Sequence, residues 1–245
     1  MKNTAIIIPT RLEARRFLNK PLAEINRKPM ILHVLNKAKE SKVGEVFVAT
    51  PDKKIFDIVN NNGGSAIMTE KSHPSGSDRI YEVYSKKLKN NVDLIINLQG
   101  DMPNIDPNTI SKLEKLMRIN QCDIGTLASP IKDNNEIIDE NVVKVQVDEK
   151  LKDHSFLQAK DFFSKKKKLN KDTVYHHLGL YIFTNDALTR YVKLKRSKLE
   201  IERNLEQMRV MENNMVIKVG MAHSMPLSVD TEEDLKKVRK EMEKL

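Results

Sequence analysis

The sequence predicts an α/β protein built on a doubly wound, mostly parallel sheet with an inserted antiparallel part. Two observations carry this prediction. Through the first half, short β-branched runs alternate with segments of helical period, the βαβαβ rhythm of a parallel sheet. In the second half the rhythm loosens, and Val142-Val143-Lys144-Val145-Gln146-Val147 alternates like a strand with one wet face.

The elements follow in order. Ala5 to Ile8 is a β-branched run ended by Pro9 and reads as a buried strand. A helical pattern runs from Pro29, a residue suited to a first helical turn, to about Glu40. Glu45 to Thr50 is a second strand. Ile55, Ile58 and Val59 then share one helix face, and Asn62-Gly63-Gly64 stops that helix. Ser65 to Met68 is a third strand, followed by a helix from Ser77 to Lys87. Asp93 to Leu98 is the most strand-like run of the chain. Asp106-Pro107 opens a helix with Ile110, Leu113 and Leu116 on one face.

Beyond Val142–Val147, Lys165 to Lys168 reads as a surface loop and Leu178 to Phe183 as a strand. Leu199 to Asn213 reads as one charged helix and Met215 to Val219 as a last strand. Thr231, with Glu233 and Asp234 close behind, starts the terminal helix. No repeat or linker divides the chain, which predicts a single domain over 1–245 with the antiparallel segment at about 140–185.

Composition narrows the class. The chain has 39% hydrophobic and 5% aromatic residues and no Trp, so its core rests on Ile, Leu, Val and Met. Lys and Arg number 43 against 34 Asp and Glu, a net charge of +9 that favours acidic ligands. The cations are scattered and mostly lysine, which argues against a nucleic-acid face. Cys122 is the one cysteine, which excludes an internal disulfide and a Cys-rich metal site. No run approaches a signal-peptide core or a membrane span, so a cytoplasmic protein is expected.

Five segments can be weighed for chemistry. The loop leaving the first strand holds Arg11, Arg16 and Lys20, where open α/β sheets bind ligands, and suits a polyanion such as a nucleoside triphosphate. Asp101, just past the Leu94–Leu98 strand and after Gly100, is a natural Mg²⁺ ligand, though Gly-Asp is also an ordinary turn. Asp230 offers a second carboxylate or serves the helix that Thr231 and Asp234 cap. Ser75-Gly76-Ser77-Asp78-Arg79 presents N–H groups and a cation to an anion or a base edge, and is equally a helix cap. His176 and His177 open a strand and should point to opposite faces, against a zinc pair.

Together these motifs resemble the 3-deoxy-manno-octulosonate cytidylyltransferase (CMP-KDO synthetase) family. Pro9-Thr10-Arg11, Lys20-Pro21-Leu22, Ser75 to Arg79, Asn97 to Pro103, His177 to Tyr181, Leu205 to Arg209 and Val229 to Leu235 stand in the family's order from Ile6 to about Arg239. The resemblance implies a nucleotide-diphospho-sugar transferase-like fold. The implied activity joins CMP from CTP to the anomeric hydroxyl of the sugar acid KDO, releasing pyrophosphate, for lipopolysaccharide synthesis. By the same resemblance Arg11, Arg16 and Lys20 clamp the triphosphate, while Pro9, Arg11, Ser75, Gly76 and Arg79 hold the nucleotide. Asp101 and Asp230 hold Mg²⁺, and Gln99, His177, Tyr181, Glu206 and Gln207 line the sugar pocket. A homodimer through the antiparallel segment is implied too.

The chain departs from the family pattern at three places. Leu12, Ala14 and Phe17-Leu18-Asn19 stand where the family has a Ser, a Tyr after the first Arg and a Leu-Pro-Gly, which removes the loop's glycine hinge. Met102 replaces a Glu beside Asp101. Phe156-Leu157-Gln158 replaces a Phe-Ser-Arg, with Lys160 as a substitute charge for the missing Arg. Those changes leave other readings open: the same chemistry on an 8-amino octulosonate or a sialic-acid-like sugar, or a non-catalytic basic nucleotide-binding protein.

Overall fold

Strand β1 (Thr4–Pro9) is buried at every residue in the computed structural model, which describes residues 3–13, 17–165 and 171–243. A short 3₁₀ turn over Lys20–Leu22 leads to a hairpin of β2 (Glu24–Ile25) and β3 (Lys28–Pro29). Its two turn residues, Asn26 and Arg27, both have positive φ, 49° and 61°. That is the primed turn whose twist matches the flanking strands. Helix α1 (Met30–Glu40), β4 (Glu45–Thr50), α2 (Lys53–Asn61), β5 (Ala66–Met68), α3 (Gly76–Val83) and β6 (Leu94–Asn97) follow. The strands lie in the order β5-β4-β1-β6 and every pairing among them is parallel, as the sequence predicts. The helix expected over Ser77–Lys87 is α3 followed by a π-helical turn over Tyr84–Leu88.

Helix α4 (Pro107–Ile119) begins where Asp106-Pro107 predicts. The chain clusters into two units, residues 1–111 with 226–245 and residues 112–225. In the second unit come β7 (Ile124–Pro130), α5 (Asn134–Ile138), β8 (Lys144–Gln146), β9 (Phe156–Gln158), β10 (Asp161–Phe163) and β11 (Val174–Thr184). They are followed by α6 (Asn185–Tyr191), α7 (Lys198–Arg203), α8 (Gln207–Glu212) and β12 (Ile217–Met221). Strand β11 is antiparallel to β7 and β8, β8 to β10, and β9 to β12, while β12 runs parallel to β7. The predicted antiparallel part is therefore present, and the Leu178–Phe183 run is the middle of its eleven-residue strand.

One predicted element is corrected. Leu199–Asn213 forms two helices, because Asn204 takes a left-handed conformation (φ 54°) that ends α7. The lysine run falls mostly outside the described residues. Helix α9 (Glu232–Met242) returns to the first unit, capped by Thr231 with Asp234 in a capping box, as predicted. It buries Leu235 and Val238 in a cluster with Ile25, Met30 and Val229, and Phe17 packs against that cluster.

Candidate active site

At the end of β1, Thr10 N–H donates to Ala49 O at 2.9 Å and Leu12 N–H to the Asp52 carboxylate at 2.8 Å. Asn19 N–H bonds to Leu12 O at 3.2 Å. Asn19 adopts φ 56° and ψ 22°, the left-handed conformation usual for glycine and open to asparagine. Phe17, packed on the core cluster, anchors this end of the loop.

The next residue, Lys20, joins the two predicted metal carboxylates. Its Nζ lies 3.0 Å from Asp101 Oδ2 and 3.2 Å from Asp230 Oδ1. A backbone bond from Val229 N–H to Asp101 O at 3.0 Å draws the two segments together, with Val229 itself in the core. Burial works to lower the Lys20 pKa, and the two carboxylates outweigh it and raise the value. One ammonium against two carboxylates leaves this cluster acidic. Among the described residues no group of three or more His, Cys, Asp or Glu could hold a metal. Asp101 and Asp230 alone suit Mg²⁺, which takes one or two carboxylates and completes its shell with water and phosphate oxygens. Met102, in place of the family's Glu, is buried.

The predicted nucleotide residues also lie close together. A Cβ on Gly76 would stand 3.3 Å from the Pro9 ring, and one on Gly100 would stand 3.3 Å from Pro9 O. Ser75 caps α3: its hydroxyl accepts from Asp78 N–H at 3.2 Å and donates to the Asp78 carboxylate at 2.6 Å. Arg79 is buried and donates to Thr69 and to Glu70 O. Burial, then the charge of Arg11, lower its pKa, which places the exposed Arg11 within electrostatic reach. Gln99, half-buried, donates to Asn97 at 3.1 Å. Arg16 lies outside the described residues.

The remaining predicted sugar residues lie in the second unit, along an aromatic ladder. His177 is buried, with its ring 5.1 Å from Phe162 edge-on and 5.3 Å from Tyr181. Residues four apart in an unbroken strand stand about 13 Å apart. A bulge between Leu178 and Tyr181 shortens β11 and brings these two rings together. Burial, with a smaller push from His176, lowers the His177 pKa to about 3 and keeps the ring neutral. Burial also pushes the Tyr181 hydroxyl up. His176 leaves by the other face, to Glu136 at 2.7 Å, as the strand period predicts.

The ladder continues through Phe183 and Tyr191, whose ring lies 4.8 Å beneath the Arg209 guanidinium. Arg209 grips Glu200 through two bonds of 2.6 and 2.7 Å, and the Tyr191 hydroxyl donates to Glu206 at 3.3 Å. Gln207 follows, buried. Gln158 is exposed on β9, and Lys160 pairs with Asp148 at 2.8 Å. Thr126 and Tyr191 escape the sequence reading, which holds Arg209 only as the end of the Leu205–Arg209 motif and gives it no role. Thr126 sits inside an apolar run with no period to single it out, and Arg209 meets Glu200 only across the break at Asn204.

A family model described as cytidylyltransferase matches residues 5–218. A 3-deoxy-manno-octulosonate cytidylyltransferase of Brucella canis is 42% identical over 96% of this chain and 94% of its own. The chain belongs to the 3-deoxy-manno-octulosonate cytidylyltransferase family. A further family member, from Brucella anthropi, is 41% identical over 96% of this chain and 95% of its own. A solved CMP:2-keto-3-deoxy-manno-octonic acid synthetase complexed with CTP superposes with a TM-score of 0.91 at 33% identity, covering 99% of each chain. The family's α/β fold is thus shared over the whole chain. No helix among the described residues is long and apolar enough to cross a membrane.

Proposed function

We propose that this chain is the nucleotidyltransferase that joins CMP from CTP to KDO, forming the activated sugar used for lipopolysaccharide. The observation that carries this is the convergence of Lys20, Asp101 and Asp230 at the mouth of the parallel strands, in a chain 42% identical to enzymes of that name. The anomeric hydroxyl oxygen bonds to the α-phosphorus, the bond to the pyrophosphate oxygen breaks, and the hydroxyl proton passes to water. Such a transfer needs positioning and charge neutralisation more than covalent chemistry.

Arg11, Arg16 and Lys20 neutralise the triphosphate and the leaving pyrophosphate. Pro9, Ser75, Gly76 and Arg79 hold the cytidine end, and Gln99, His177, Tyr181, Glu206 and Gln207 hold the sugar. Asp101 and Asp230 would hold Mg²⁺, which supplies positive charge to the phosphates and a template for the two reactants. We read the active species as a cytoplasmic homodimer joined through the antiparallel segment.

One observation keeps a modified sugar in view. Gln158 stands exposed where the family has an Arg, and the neighbouring Lys160 is already paired with Asp148. Pyrophosphate release from CTP and Mg²⁺ should therefore be measured with KDO, its 8-amino analogue and N-acetylneuraminate. Turnover with KDO is expected, and Asp101→Ala should lower it about a thousandfold with the circular dichroism unchanged. Turnover only with another acid would keep the chemistry and replace the substrate. Silence across the panel would overturn the reading.

A further inference from the structure

Thr126 is fully buried on β7, opposite the bulge of β11. Its hydroxyl oxygen lies 2.7 Å from Leu180 O, 3.1 Å from Leu178 O and 3.0 Å from His177 Nε2. A hydroxyl has one proton to give and two lone pairs to offer. The two carbonyls only accept. If the proton went to His177 Nε2, both carbonyl oxygens would face hydroxyl lone pairs, one of them at 2.7 Å. Giving the proton to Leu180 O removes the closer clash and turns a lone pair toward the histidine. His177 Nε2 must then carry hydrogen, and its other ring nitrogen is a bare acceptor.

We propose that Thr126 is a positioning residue that fixes His177 in its Nε2–H tautomer, leaving Nδ1 to accept a hydrogen bond from a hydroxyl of the sugar. An acceptor there discriminates: it welcomes a hydroxyl or an ammonium donor and repels a carboxylate oxygen. Burial agrees with this assignment, since it lowers the His177 pKa to about 3 and denies the ring the second proton that would turn Nδ1 into a donor. Phe162, in an edge-to-face contact at 5.1 Å, and Tyr181, tilted at 5.3 Å, both pack on the imidazole and restrict its orientation. The specificity part of this inference rests on the reading that His177 lines the sugar pocket. The tautomer part stands on the β7–β11 geometry alone.

The test separates the two. Imidazole ¹⁵N spectra of the full chain should show His177 protonated at Nε2 and bare at Nδ1. Thr126→Val, which keeps the β-branched shape and removes the hydroxyl, should lose that single tautomer, and Thr126→Ser should restore it. Protonation at Nδ1 in the natural protein, or an unchanged spectrum in Thr126→Val, would overturn the assignment. In steady state with CTP and KDO, Thr126→Val should raise the KM for KDO about tenfold and leave the KM for CTP unchanged, with Thr126→Ser close to the natural protein. An equal loss toward both substrates would mean a merely structural threonine. His177→Ala is the control for the pocket: if it leaves the KM for KDO unchanged, His177 does not meet the sugar, and the specificity part falls while the spectra still decide the tautomer.

Discussion

Asn19 and His177 are each decided by the environment of a single residue. A left-handed conformation costs an ordinary residue roughly 1–2 kcal/mol, and Asn and Gly adopt it most easily. Asn19→Gly should therefore leave the KM for CTP unchanged, whereas Asn19→Val should destabilise the protein by about 1–2 kcal/mol and raise that KM, since Lys20 follows directly. Urea unfolding and initial rates check both. In sequence, Phe17-Leu18-Asn19 reads as a lost glycine hinge, because the identity of a residue does not reveal its φ. His177 gives a pH dependence. Its folded pKa, about 3, lies below the unfolded value of about 6.5, so between those values the unfolded chain binds the extra proton. Stability is then lost as pH falls through that window. Burial works to raise the Glu82 pKa, but bonds from Lys86, His73 and the Glu70 N–H outweigh it and lower the value to about 2. The stability Glu82 contributes above about pH 4.5 is therefore lost below it as well. His177→Gln should make the Tm profile shallower from pH 6.5 to 4.5, where the lowered His33 keeps a share, and leave the fall below, which Glu82 shares with other carboxylates held low, Glu200 and Asp234 among them. An unchanged profile would mean that His177 is protonated in the fold.

At the scale of elements, β1 and α7–α8 mark what could and could not be read ahead. The Ile6-Ile7-Ile8 run and its Pro9 were legible because a parallel strand buried on both faces has no polar positions to disguise it. The α9 cap was legible because Thr231 and Asp234 lie within one turn. The break between α7 and α8 was not, since Leu199–Asn213 keeps helical composition throughout and only Asn204's backbone ends α7. Nor was the β11 bulge, which depends on pairing with β7 across some fifty residues of chain. What holds α7 against α8 is the Glu200–Arg209 pair, with both side chains nearly excluded from water. Removing one partner of such a pair costs roughly 3–5 kcal/mol because the other charge is left buried. Arg209→Met should fall near the lower end, as Arg196 still reaches Glu200 at 3.0 Å from the surface. The double variant Arg209→Met with Glu200→Leu should recover most of the loss. Because Arg209 also lies over Tyr191, whose hydroxyl meets Glu206, the single variant should raise the KM for the sugar acid as well. Urea unfolding of the two singles and the double gives the coupling energy directly, and additive effects would mean that the pair is not what joins the helices.

Over the whole molecule, a net charge of +9 is spread over scattered lysines, while Arg11, Lys20 and Arg79, the described cations proposed above to meet CTP, sit near the ends of the parallel strands of one unit. Two sources of attraction for CTP follow, a diffuse field and a local cluster, and ionic strength separates them. A diffuse field is screened beyond about 8–10 Å at 0.1–0.15 M salt, whereas charges touching the ligand remain effective. Lys165 to Lys168 offer the cleanest handle, because replacing these four with Gln removes nearly half the net charge and no residue assigned to the site. If the diffuse field steers CTP, that variant should bind CTP about two- to threefold more slowly at low salt, and the difference should vanish near 0.5 M salt with the dissociation rate unchanged. Lys20→Met should behave oppositely, raising the dissociation rate at every salt concentration, since its charge acts on the bound ligand. Stopped-flow binding of a fluorescent CTP analogue across salt measures both. Equal association rates for the lysine-run variant and the natural protein at low salt would assign capture to the local cluster alone and leave the molecule's excess of lysine to other physics, such as solubility.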